Sequence, residues 1–210
     1  KRLAAIEILR DYIKLSKKIR FEGDGYSMDW ENEAKKRGLS NARDTPRALD
    51  FLITEKSKSL FKRHGVLNEI EIQARHEIML ENYIMKVQIE ARVIGDLALN
   101  HIIPIAIIYQ NKLIQNANGL KGLKINAEDI IETIQDLSNH INMIKKLTNE
   151  MVEERKKVNI MEDSRTRAIA YCDQVKTKYF DQIRYSVDKL ELLVDDEDWP
   201  LVKYRELLFL

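Results

Sequence analysis

The chain has 210 residues, enough for one substantial core. Its 35 Lys+Arg balance 34 Asp+Glu to leave a formal charge of +1, which argues against nucleic acid or an anionic membrane as a partner. Seven Gly and three Pro beside 33% charged residues favour long helices over strands, so the expected fold class is all-α. One cysteine, Cys172, makes no internal disulfide and suits a reducing compartment, hence an expected cytoplasmic location. The most apolar stretch, Ile102 to Tyr109, is far shorter than the roughly 18 apolar residues a membrane span needs, and it contains Pro104. The start, Lys1-Arg2-Leu3-Ala4-Ala5, has no initiator Met, and the chain is read as a piece of a longer one.

Leu3, Ile6, Leu9, Ile13 and Leu15 recur at helical spacing and predict a first helix ending near Arg20, before the break at Gly23 and Gly25. Ser27 is placed to cap a short helix with Asp29 and Glu31 in its first turn, Lys35, Lys36 and Arg37 in its last, and Gly38 just beyond. Thr45-Pro46 reads as a capping hydroxyl followed by proline at the first helical position. A further short helix is expected from Ser57 to His64, stopped by Gly65.

Asn68 with Glu71 three residues on is a capping box opening the longest segment, in which Ile78, Tyr83, Val87, Ala91 and Ile94 mark an apolar stripe. Pro104 lacks an N–H and predicts a kink in this helix, which then resumes until Gly119 and Gly122. Asn126 is read as the next cap, followed by Ile130, Ile134, Leu137, Ile141, Ile144 and Met151 in a 4-3-4-3 seam broken only by Thr148. A polar stretch, Glu153 to Arg167, separates it from a last helix carrying Ala168, Cys172, Val175, Tyr179, Ile183, Val187, Leu190 and Val194. Two such seams predict an antiparallel, coiled-coil-like hairpin. Asp195 to Asp198 and Trp199-Pro200 end it, leaving a tail, Leu201 to Leu210, apolar enough to need a docking surface.

Chemistry-bearing residues are sparse. None of His64, His76, His101 and His140 has Glu three residues before it, so the Glu-x-x-His pairs of a carboxylate-bridged metal site are missing. Glu77 and Glu81 share a helix face at i,i+4, either to hold a divalent cation or, the preferred reading, to face water. His101 sits in an apolar stretch as a potential acid or base, with a packed, satisfied ring the preferred reading. Cys172 falls on the last seam and reads as a small hydrophobe rather than a nucleophile. Gly119-Leu120-Lys121-Gly122 lacks the spacing of a phosphate loop. Gly95 reads as a helix-crossing point rather than a hinge.

Several blocks carry a resemblance. Phe21-Glu22-Gly23-Asp24-Gly25-Tyr26-Ser27, Glu33 to Leu39 and Thr45-Pro46-Arg47-Ala48-Leu49 resemble the C-terminal part of type III glutamine synthetases. So do Ala74 to Tyr83, Ile89 to Pro104, and the ending Trp199-Pro200-Leu201-Val202-Lys203-Tyr204-Arg205-Glu206-Leu207-Leu208-Phe209. The resemblance implies a full-length enzyme that ligates ammonia to glutamate with ATP through a γ-glutamyl phosphate, uses Mg²⁺ or Mn²⁺, and assembles as hexameric rings that can stack. It implies that the metal, glutamate and nucleotide ligands lie in an upstream β-grasp domain and catalytic domain. No catalytic, cofactor-binding or metal-binding residue of this chain is therefore assigned. By the same resemblance, residues 1–65 correspond to closing helices of the catalytic domain and 66–210 to the helical C-terminal domain, with a structural or assembly role. The competing reading is an independent helical interaction module, which seams alone equally allow.

Overall fold

The computed structural model describes residues 2–203 and 206–209, with side chains from residue 5 onward. Leu3's side chain, and Tyr204 and Leu210 of the tail, lie outside that set. The fold is all-helical, with no strand among the described residues. Two compact units divide at Arg43/Asp44.

The first unit holds α1 (Arg2–Leu15) and α2 (Met28–Lys36). Ser27 caps α2 by accepting from Trp30 N–H, and Gly38 ends it in the left-handed region at φ +70°. Gly38 N–H donates to Lys35 O and Leu39 N–H to Ala34 O, a closing turn that a side chain at residue 38 would strain. Phe21 packs on Trp30 with ring centroids 5.0 Å apart, and Arg37 donates to the carbonyls of Lys18 and Arg20. Ile6, Leu9 and Ile13 on α1 remain more than half exposed.

The second unit opens with α3 (Thr45–Leu49). Its cap is Asp44, whose carboxylate accepts from Arg47 N–H, so the cap lies one residue before the expected Thr45. A 3-10 turn (Asp50–Ile53) leads to α4 (Glu55–Arg63), which starts before the expected Ser57 because Thr54 accepts from Ser57 N–H. Next come α5 (Glu69–Asp96), a π-helical turn (Leu97–Ile102) and α6 (Ile103–Gly122), together one helix of 54 residues. The Asn68/Glu71 capping box is present. Where Pro104 predicts a kink, Ile103 N–H donates five residues back to Ala98 O, and Pro104, which has no N–H to give, follows at once.

Averaged over an 18-residue window this helix is apolar enough to cross a bilayer, by length and composition alone and as a buried core helix can also be, although its longest uninterrupted apolar run is short. A third of that window is buried within the chain. Its end also differs from expectation. Lys124, not a glycine, takes the left-handed position (φ 61°), with Ile125 N–H closing on Leu120 O.

Helix α7 (Glu128–Asn159) begins after an Asx turn in which Asn126 accepts from Glu128 N–H. The polar stretch expected from Glu153 is helix as far as Asn159, since Val158 is fully buried while Lys156–Glu153 and Lys157–Glu154 pair on the outer face. Asp163 caps α8 (Ser164–Ala170), which continues as a π-helical stretch (Tyr171–Phe180) and α9 (Asp181–Leu193). α7 runs against this last helix in opposite sense: Tyr171 O–H donates to Asn159 at 3.4 Å near the connection, and the rings of His140 and Tyr185 meet at 6.4 Å farther along.

The core lies where these three long helical rods meet. On the long helix His76, Leu80, Ile84, Val87, Ala91, Gly95, Ala98, Ile102 and Ala106 are buried at a 4-4-3 spacing that closes after eleven residues, with Ile72, Ile103 and Ala117 buried besides them. On the last helix Ala168, Cys172, Val175, Tyr179, Ile183, Ser186, Leu190 and Val194 follow the same rhythm, so Ser186 takes the fully buried place expected of Val187, which is half-buried. Only α7 keeps the shorter rhythm through Leu137, Ile141, Ile144, Thr148 and Met151.

Gly95 faces α7, and a Cβ there would meet Thr148 Cγ2 at 3.7 Å and Met151 Cε at 3.9 Å. These are ordinary contact distances, so alanine fits while removing a helix-interior glycine. Gly95→Ala is expected to raise the stability of the chain by about 1 kcal/mol. Urea denaturation followed by circular dichroism checks this; a destabilisation would mean that α5 and α7 approach more closely than described.

Candidate functional site

The polar chemistry of the second unit gathers where α3 and the Asp50–Ile53 turn meet α5, α8 and the following π-helical stretch. Two arginine–carboxylate forks join segments far apart in sequence. Arg47 Nη1 and Nη2 donate to Asp173 Oδ1 and Oδ2 at 3.1 and 2.7 Å, and Arg165 Nε and Nη2 donate to Asp50 Oδ1 and Oδ2, both at 2.7 Å. Such planar, two-bond pairs fix orientation as well as distance. Arg47 is itself steadied by Asp44, the α3 cap.

His76 lies beside this junction, 3% exposed, with Nε2 3.8 Å from Asp50 Oδ1 and no hydrogen-bond partner on either ring nitrogen. Glu81, one turn and a little farther along α5, accepts from Ser164 Oγ and Arg167 Nη2, both at 2.5 Å. Asp50 is held below the usual carboxylate range by the Arg165 fork, against an opposing push from its partial burial. Asp173 is lowered in the same way by Arg47. Burial, and then the contact with Cys172, push the Tyr83 hydroxyl up.

The residues singled out from sequence fall in scattered places. Glu77 stays on an open surface near Glu69, whereas Glu81 is engaged with α8, so the i,i+4 pair is split between water and a salt bridge. His101 is exposed, correcting the expectation of a packed ring: it belongs to the π-helical turn, where Ala98 and Ile102 take the inward positions. Cys172 is buried on the last helix. Gly95 stands against α7 as a crossing point. Among the described residues no three His, Cys, Asp or Glu side chains come together in a group that could hold a metal ion.

What sequence reading missed are the two forks. Arg47 and Asp173 stand 126 residues apart, Arg165 and Asp50 115, and the first of each pair reads in isolation as one more surface charge. The arrangement has the form of a mechanical clamp: two arginine–carboxylate forks, with the buried Cys172 thiol lying against Tyr83 and Asp173.

A family model described as the glutamine synthetase C-terminal domain matches residues 4–121, more than half of the chain. The chain belongs to this family. A glutamine synthetase of Bacteroides fragilis (strain YCH46) is 44% identical over 212 residues, which cover 98% of this chain and 29% of that protein. A type-3 glutamine synthetase of Dictyostelium discoideum is 29% identical, with 97% of this chain and 28% of that protein covered. A glutamine synthetase of Butyrivibrio fibrisolvens is 27% identical over 97% of this chain and 29% of its own length. The chain thus spans under a third of the length of the curated relatives it matches. The type III resemblance seen in the sequence blocks agrees with these matches. In the larger unit the two arginine forks tie residues inside the matched span, Arg47 and Asp50, to Asp173 and Arg165 beyond it.

The forks give the fold an acid-sensitive edge. Both carboxylates have folded pKa values below the ordinary 3.8, so the stability they add is fully present above that value and is lost as pH falls through the lower, folded one. Replacing Asp50 by Asn is expected to flatten the decline in melting temperature below about pH 4, and to cost about 0.5–1 kcal/mol at pH 7 given that Arg165 is half exposed. Melting curves from pH 7 to pH 2 for the two proteins decide it; parallel curves would show that the fork contributes nothing.

Proposed function

We propose that this chain is the C-terminal helical part of a full-length glutamine synthetase, and that within that enzyme it braces the catalytic domain and supports assembly rather than performing chemistry. The whole protein, in this reading, ligates ammonia to glutamate with ATP and a divalent cation, Mg²⁺ or Mn²⁺, at residues outside the present segment, in the cytoplasm and as a homo-oligomer of rings. Residues 1–65 belong with the catalytic domain and 66–210 form the helical extension.

The observation that carries the bracing role is an apolar face left open on the outside of α5. Ile78, Met85, Ile89 and Val93 lie within one narrow helical stripe, 49–59% exposed, on the side away from the buried Leu80, Ile84, Val87 and Ala91. Large contiguous apolar surface of this kind marks an interaction site. The relatives are more than three times as long as this chain, so the covering partner in this reading is the remainder of the same protein. An independent interaction module has the family match against it.

Two outcomes follow. With ATP, glutamate, ammonia and Mg²⁺ or Mn²⁺, the isolated chain is expected to form no glutamine, and turnover in a clean preparation would overturn the reading. In the intact protein, Ile89→Glu with Val93→Glu is expected to lower activity and thermal stability together. The same pair leaves the melting temperature of the isolated chain within about 1 °C, since the side chains are solvent-facing there. An intact double variant that assembles and works like the parent would remove the bracing role.

A further inference from the structure

The two forks have opposite polarity. Residues 44–53 supply the cation of one pair, Arg47 to Asp173, and the anion of the other, Asp50 to Arg165. Arg47 and Asp50 lie about a turn apart on their segment, and their partners about two turns apart on the last helix. Turned end for end, the segment would set Arg47 against Arg165 and Asp50 against Asp173, like charge against like. The apolar contacts beneath it carry no such information. Pro46 is buried and Leu49 packs on the core, and attraction of that kind has no direction.

The forks are too open to water to serve mainly as glue. Arg47, Asp173 and Arg165 are close to half exposed, and ion pairs in that setting add little to stability. Their planar, two-bond geometry instead fixes direction. A single fork leaves the segment free to pivot, and the second removes that freedom. Asp44 accepts from both the backbone N–H and the guanidinium of Arg47, so α3 cannot turn while the Arg47 side chain stays behind. On α5, His76 faces Asp50 at 3.8 Å without bonding it, which leaves the polar alignment of the segment to the last helix.

Under the function proposed above, residues 44–53 belong with the catalytic domain, whereas Arg165 and Asp173 belong to the helical extension. Both forks then cross the seam between those two parts. We propose, resting on that reading, that the forks set the orientation in which the extension holds the catalytic domain, so that Arg47, Asp50, Arg165 and Asp173 are positioning residues for a reaction outside this chain.

Two measurements test this. In the 210-residue chain with Cys172→Ser, nitroxide labels on Lys62→Cys and Thr177→Cys, both at exposed positions, report the distance between α4 and the last helix by pulsed electron paramagnetic resonance. Adding Arg47→Gln and Arg165→Gln is expected to shift or broaden the distance distribution at unchanged helicity. An unchanged distribution overturns the orienting role. In the intact protein, Arg165→Lys keeps the charge and loses the two-bond fork. It is expected to lower kcat as much as Arg165→Gln does, by about fivefold, the low end of couplings between distant sites. The melting temperature is expected to stay within about 2 °C and the assembly mass to be unchanged. Full kcat in Arg165→Lys overturns the positioning role, as does a loss of activity that merely follows a falling melting temperature. An unaltered intact protein that forms no glutamine sinks the enzymatic reading and the positioning role with it, while the distance distribution still decides whether the forks orient the segment, so the two failures are told apart.

Discussion

Everything in the larger unit depends on how one helix of 54 residues is kept from standing alone in water. At roughly 1.5 Å per residue it extends about 80 Å, and no isolated helix of mixed composition holds such a length by backbone bonding alone. The chain solves this by giving it a buried stripe in a 4-4-3 rhythm and laying two further long rods along that stripe. An eleven-residue rhythm follows the natural 3.6-residue turn more closely than a heptad does, so the stripe drifts little along the rod. Small residues, Ala91, Gly95 and Ala98, occupy the middle of the stripe, where Thr148 and Met151 come close.

The two π-helical stretches belong to the same solution. The rods carry different rhythms, and a local change of hydrogen-bonding register lets their buried faces stay opposed where strict helices would separate. One of them also removes the difficulty of Pro104, whose missing N–H falls directly after the shifted bond from Ile103 to Ala98. Both stretches border a cavity beneath the C-terminal segment, so the distortions that reconcile the rods also leave the space that the segment only partly fills.

Much of this was legible in the sequence, and the reasons are local. Asn68 with Glu71, Ser27 and Gly38 announce helix ends because capping depends on side chains within three or four residues. The stripes of the long rods were legible because burial imposes a period. Illegible were the features set by tertiary geometry: the Arg47–Asp173 and Arg165–Asp50 forks, the split roles of Glu77 and Glu81, and the exchange of Val187 for Ser186 at the buried position. That last shift follows from the π-helical register, which no propensity in the Tyr171–Phe180 stretch signals. The tail was legible in half. Trp199 and Lys203 do dock, while Leu208 and Phe209 remain outward.

The account makes the three rods a single cooperative body organised on the long helix. Native-state hydrogen exchange in increasing denaturant tests this most directly. Amides of Leu80 to Ile102, Leu137 to Met151 and Ile183 to Leu190 are expected to converge on one common opening free energy equal to that of global unfolding. If the amides of α7 instead open at a distinctly lower free energy while those of the long helix stay protected, the helix does not need its partners, and the account is contradicted.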